Sequence, residues 1–127
     1  MKIEQKKTFF IFTIILLVSI YSLLTSDDNT DLLRSHIYNC NYAEAISLAE
    51  LILQKPNLPK EEKIDTYLHK GIAEYSSHRI LDSKLTFTNL LLLDNKITLN
   101  QNKVSPKIIE LFNDLKISIN QNNKVKL

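Results

Sequence analysis

Between Thr8 and Leu24 the chain carries no charged residue, and Phe9-Phe10-Ile11-Phe12-Thr13-Ile14-Ile15-Leu16-Leu17-Val18 is almost purely apolar. A helix that is apolar on every side needs either a protein core or lipid around it. At one end of so small a chain, a core able to surround it is hard to build. Three lysines (Lys2, Lys6, Lys7) and Glu4 precede the run, and Ser26-Asp27-Asp28-Asn29 follows it. The order basic, apolar, acidic fits an N-terminus held inside and a chain exported beyond it.

Two fates remain open for residues 1–26. A signal peptide would be cut near Ser26, although Leu24 is large for the −3 position of such a site. An uncleaved anchor through residues 8–24 meets the lower limit of about 17–25 apolar residues for a membrane span. The first leaves a periplasmic or secreted protein. The second leaves a membrane-anchored protein with its C-terminal part outside the cytoplasm. Lipid attachment fits less well, because Cys40 lies well beyond the apolar run.

The full chain of 127 residues has 16 basic and 14 acidic side chains. Without residues 1–26, which hold Lys2, Lys6, Lys7 and Glu4, 13 of each remain and the charge balances. A neutral, mixed surface offers no basic field for nucleic acid. One glycine (Gly71) in the whole sequence argues against a β-sandwich and against a phosphate-cradling loop.

Residues 29–119 read as helices, and no segment alternates with period two for long enough to form a strand. Asn29 or Thr30 caps a first helix over Asp31–Asn39, followed by the turn Asn39-Cys40-Asn41. A second helix covers about Tyr42–Gln54, with Ala45, Leu48, Ala49 and Ile52 on one face. Lys55-Pro56-Asn57-Leu58-Pro59 ends it. A third spans about Pro59–Ser77, its first turn holding Glu61 and Glu62 toward the positive end of the helix dipole. A fourth spans about Ile80–Leu93. Ser105-Pro106, a cap followed by proline, starts a fifth that runs to about Ile119. Residues 120–127 form a polar tail, expected to fray.

Segments 31–54 and 60–93 read as two versions of one helix pair. In the second, Tyr67 precedes Gly71 by four residues, Ser83 follows Gly71 by twelve, and Phe87 follows Ser83 by four. This spacing resembles the tetratricopeptide repeat over about residues 29–95. Tyr67, Gly71, Ser83 and Phe87 match that family's large, small, small and aromatic slots, and Ala45 and Ala49 occupy the second-helix slots of the first pair. Small residues let two helix axes approach closely while large ones fill the flanks. Three features depart from the family pattern. Leu33 stands in the first pair's glycine slot. Ala45 and Ser83 are further apart than the family's repeat length, an excess that the Pro56–Pro59 connector can absorb. Asn57 and Asn95 replace the closing prolines. Leu90-Leu91-Leu92-Leu93-Asp94, followed by Val104 to Phe112, is similar to the end of such modules in exported bacterial proteins, where a last helix closes the stack.

The resemblance implies an all-α stack of short antiparallel helix hairpins behind the apolar N-terminal helix. It implies helix packing through Ala45, Ala49, Gly71 and Ser83. It also implies a groove lined by the first helix of each pair, with Arg34, Ile37, Tyr38, Leu68, Ile72 and Tyr75 facing another protein or a peptide. The expected function is a non-enzymatic interaction module on the non-cytoplasmic side of a membrane. The alternative is a structural accessory subunit of an envelope complex, stable mainly when docked.

Catalytic and metal chemistry find little footing. His36 and Cys40 are four residues apart, but His69 and His78 show no spacing that would bring them to the same point. Cys40 is expected to be a buried small residue. Glu61, Glu62 and Asp65 read as charges favourable to a helix start rather than as acid and base groups. No cofactor is expected.

Overall fold

The structure, a computed structural model, describes the backbone of residues 2–126 and the side chains of 4–18 and 28–126. Among the described residues the fold is all-α and contains no strand. Its helices are α1 (Lys2–Tyr38), α2 (Tyr42–Leu53), α3 (Lys60–Ser76), α4 (Ile80–Leu93) and α5 (Pro106–Val125). Each packs against the next along the chain, and α1 also packs against α3.

Three features differ from the sequence reading. The first helix does not start at Asn29 or Thr30, because α1 runs without interruption from Lys2 to Tyr38. No proline or glycine lies in it to force a break. At about 1.5 Å per residue it is about 55 Å long. Every described side chain from Glu4 to Val18 is exposed, and burial begins with Thr30 and Leu33. Secondly, α5 continues past Ile119 to Val125, through the residues expected to fray. Thirdly, Ser105 stands at the N-cap of α5 without a side-chain capping bond. Its carbonyl instead accepts the amides of Ile108 (3.0 Å) and Ile109 (3.1 Å).

Residues 19–24 of the expected anchor lie outside the described side chains. Among the described residues, no helix is long and apolar enough to cross a membrane.

The helix pairs α1/α2 and α3/α4 close through the same turn. Cys40 and His78 both take left-handed backbone conformations, with φ of 59° and 65°. The Asn41 amide reaches back to the His36 carbonyl at 2.8 Å, and the Arg79 amide to the Glu74 carbonyl at 2.8 Å. The Cys40 and His78 amides bond the Ile37 and Tyr75 carbonyls, each at 3.0 Å. Such paired bonds absorb the carbonyls left over at a helix end. The next residues, Asn41 and Arg79, share φ/ψ near −84°/65° and −87°/64°. Aligning the two turns, Cys40 on His78, fixes which positions correspond. Leu33 then pairs with Gly71, Ala45 with Ser83 and Ala49 with Phe87.

Two clusters make the core. Leu33, Ala45, Ile46, Ala49, Ile52 and Ala73 form the first, at the junction of α1, α2 and α3. Phe87, Leu90, Leu91, Ile108 and Phe112 form the second, where α5 covers the second pair. Phe87 and Phe112 meet edge to face, with ring centres 5.4 Å apart at 89°, a favoured aromatic geometry. The irregular connector after α4 contributes Ile97, Leu99 and Val104 to this cluster, and Lys116 Nζ donates to the Ile97 carbonyl at 2.9 Å to pin it.

Candidate interaction surface

The small residues sit where helices meet. Ala45, Ala49, Gly71 and Ser83 are all buried. A Cβ built on Gly71 would come within 2.8 Å of three carbons of the Phe87 ring. Ser83 Oγ donates to the Gly71 carbonyl at 2.8 Å, a buried bond between α4 and α3. Glycine in a helix interior costs about 1 kcal/mol relative to alanine, so this close approach is what Gly71 provides. In the first pair the sizes are exchanged. Leu33 fills the position equivalent to Gly71, and Ala49 the position equivalent to Phe87; both are buried in one cluster.

The six residues expected to line a groove divide into two sets. Arg34 is exposed and Tyr38 is 89% exposed, so both are open to a partner. Ile37 packs against the first cluster, and Leu68, Ile72 and Tyr75 pack against the second. These four are half-buried.

Asp65 ties this region together, where its place near a helix start suggests only a simple surface charge. Arg34 Nη2 on α1 lies 3.1 Å from Asp65 Oδ2 on α3, and Arg34 Nη1 lies 3.2 Å from Asp31 Oδ1. The Asp65 hydrogen bond and charge raise the Arg34 pKa above its ordinary value against a smaller cost of burial. His69 Nδ1 lies 2.8 Å from the Asp65 carbonyl oxygen and 3.4 Å from Oδ1. A carbonyl can only accept, so Nδ1 is the donor in this contact. The result is a polar line, Asp31, Arg34, Asp65 and His69, crossing from α1 to α3.

A second charged group lies deeper. Glu74 is 1% exposed, and its Oε1 accepts from Lys70 Nζ at 2.6 Å. Lys70 also approaches Thr86 Oγ1 at 3.5 Å and Glu50 Oε1 at 3.8 Å, so it links α2, α3 and α4. Lysine and glutamate four apart usually signal a solvated helix face. Only the tertiary neighbours bury this pair.

Cys40 is exposed, contrary to the expectation of burial. It occupies the left-handed position of the first turn, past the end of α1, and so does not share a helical face with His36. Tyr42 has a pKa above its ordinary value, mainly through a hydrogen bond with Cys40, then through burial and the thiolate's charge; a hydrogen bond with Ser76 acts in the opposite direction. Among the described residues, no three His, Cys, Asp or Glu side chains gather in a way that could hold a metal ion.

No family model, curated protein or solved structure matches this chain. What bears on its function is therefore the sequence and this geometry alone.

Proposed function

We propose that the chain is a non-enzymatic adaptor, exported and held at a membrane by its N-terminal segment, whose two helix pairs bind another protein or a peptide. The observation that carries this reading is one turn built twice, at Cys40 and again at His78, with nearly the same φ and the same two backbone bonds. A chain that builds one hairpin twice and covers the second with α5 favours a short stack of the tetratricopeptide type. Such stacks present the first helix of each pair on one face. Here that face holds Arg34, Tyr38, Asp65 and His69 on α1 and α3, with Leu68, Ile72 and Tyr75 giving it an apolar floor. Arginine and tyrosine are over-represented among the residues that dominate binding energy.

The tether reading rests on the N-terminal segment. The unbroken run of apolar or nearly apolar side chains from Phe9 to Val18 stands exposed on α1. A patch of that size requires a cover, and lysines before it and aspartates after it orient the chain with its hairpins outside.

The test is site-specific photocrosslinking in intact envelopes. A photoreactive residue at Tyr38 or Arg34 is expected to give one dominant adduct, and the same group at Ser47 on the outer side of α2 to give none. Equal, diffuse labelling at all three positions would remove this reading. The rival, an accessory subunit stable only in its complex, predicts that the purified chain melts without cooperativity.

A further inference from the structure

The binding face and the apolar run share one helix. Arg34 and Tyr38 lie on α1, which runs from Lys2 to Tyr38 without a break and without a proline or glycine at which helices bend. At about 1.5 Å per residue, Arg34 stands about 15 Å and Tyr38 about 21 Å along the axis beyond Leu24, the last apolar residue of the run. The headgroup layer takes up about 5–8 Å of that distance, and any tilt of the helix lowers both residues further. Asp65, 3.1 Å from Arg34, holds α3 beside α1 at the same height.

We propose that the partner is itself a membrane protein, and that the segment bound is the stretch just outside its own membrane span. The proposal rests on the tether reading above and names the partner of the same face. The unbent helix fixes the height of that face. It cannot swing outward on a hinge, so it meets what lies within about 20 Å of the bilayer.

The size of the face points the same way. Its residues are few beside the roughly 20–30 on each side of a stable complex. Arg34 and Asp65 are already engaged with one another, which leaves less charge for a partner. A face this small binds weakly by itself. A partner anchored in the same bilayer at a matching height meets it at high effective concentration, an advantage that disappears when the two heights do not match. A partner diffusing freely outside the membrane has no such advantage. Tyr38 and the half-buried Leu68, Ile72 and Tyr75, beside the charged line from Asp31 to His69, fit an amphipathic segment with its apolar side chains inward and its polar ones at the rim.

The test uses the full chain in intact envelopes, with a photoreactive residue at Tyr38. An insert of about 18 helical residues after Ser26, about five turns, lifts the face by about 27 Å and keeps it pointing the same way. A Gly/Ser insert of the same length can fold back toward the membrane. The three chains are compared at equal membrane yield and with helical circular dichroism retained. The helical insert is expected to lower the Tyr38 adduct at least about tenfold, and the flexible one to keep part of it. The adduct of the original chain is expected to map beside a membrane span of the partner. Equal yields from the original and the lifted chain overturn the proposal, as does an adduct that maps to a soluble protein or to lipid. Loss with both inserts also overturns it, because height is then not what decides binding. A Tyr38 adduct in a chain that does not fractionate with membranes removes the tether reading instead, and no adduct in the original chain removes the adaptor reading.

Discussion

The ring of Phe87 occupies the space that any side chain at Gly71 would need. Phe87 also meets Phe112 edge to face, so this one residue sets both how closely α3 approaches α4 and where α5 rests. The Ser83 hydroxyl, bonded to the Gly71 carbonyl at 2.8 Å, fixes the same two helices one turn earlier on α4.

Gly71→Ala is expected to destabilise the chain. Alanine's helix preference favours it by about 1 kcal/mol, but overpacking against a fixed ring costs about 1–3 kcal/mol. Adding Phe87→Leu should restore part of the loss, because the ring is the obstacle. Denaturant melts of the four variants in a cycle measure this coupling. Strict additivity would show that the two residues do not compete for space.

The exchange of sizes between Leu33/Ala49 and Gly71/Phe87 has its own consequence. Leu33→Gly should cost more than about 3 kcal/mol through cavity and helix effects together. Ala49→Phe alone should also destabilise by overpacking. Combined, they rebuild the arrangement of the second pair, so the double variant should be more stable than the sum of the single losses implies. Thermal melts would detect the shortfall from additivity.

Lys70→Met is expected to cost about 3–5 kcal/mol, because it leaves the buried Glu74 carboxylate without its partner. Lys70→Met with Glu74→Leu should come within about 1–2 kcal/mol of the original chain or exceed it, since apolar replacement of a buried ion pair is often neutral. If Lys70→Met alone is silent, the pair is not buried as described.

Tyr42 gives a pH prediction. Its pKa is raised by the hydrogen bond with Cys40, by burial and by the charge of the thiolate, so the folded state favours the neutral phenol. Its contribution to stability is fully present below the ordinary phenol pKa and is lost as pH rises through the raised value. In an absorbance titration of the phenolate band, Tyr42→Phe should remove a late-titrating tyrosine. Cys40→Ala should bring that tyrosine back toward its ordinary value.

Arg34→Ala should change stability by less than about 1 kcal/mol, because the Arg34–Asp65 pair is partly exposed. The same change, and Tyr38→Ala, should nevertheless lower the yield of the partner adduct. A large loss of stability would move Arg34 from the binding face into the structural framework.

Much of the helix layout was legible in the residues. The three- and four-residue spacing of Ala45, Ala49 and Ile52, the prolines at 56, 59 and 106, and the turn at 39–41 are local signals, and α2 to α5 begin close to where the sequence reading places them. The run Ser26-Asp27-Asp28-Asn29-Thr30 misled, because residues that cap helices are also tolerated inside them, and only the whole length of α1 decides between the two. Cys40 misled for a similar reason. Its small apolar character suggested burial, but the left-handed turn placed it outside.

On the proposed binding face, Arg34 and Tyr38 could be singled out from the repeat spacing, whereas Asp65 could not. Its partner Arg34 is far away along the chain, on another helix, and no local pattern carries that contact. Helical character, the places where the chain turns and the need of its N-terminal run for an apolar surrounding were all written into the residue order. They follow from periodicity, turn residues and the absence of charge, each of which acts over a few neighbours. Which residues act together emerged only from the packed helices. Burial of Lys70 with Glu74 and the opposed sizes at Leu33 and Gly71 depend on which helix lies over which, and that is settled only when separate segments compete for the same space.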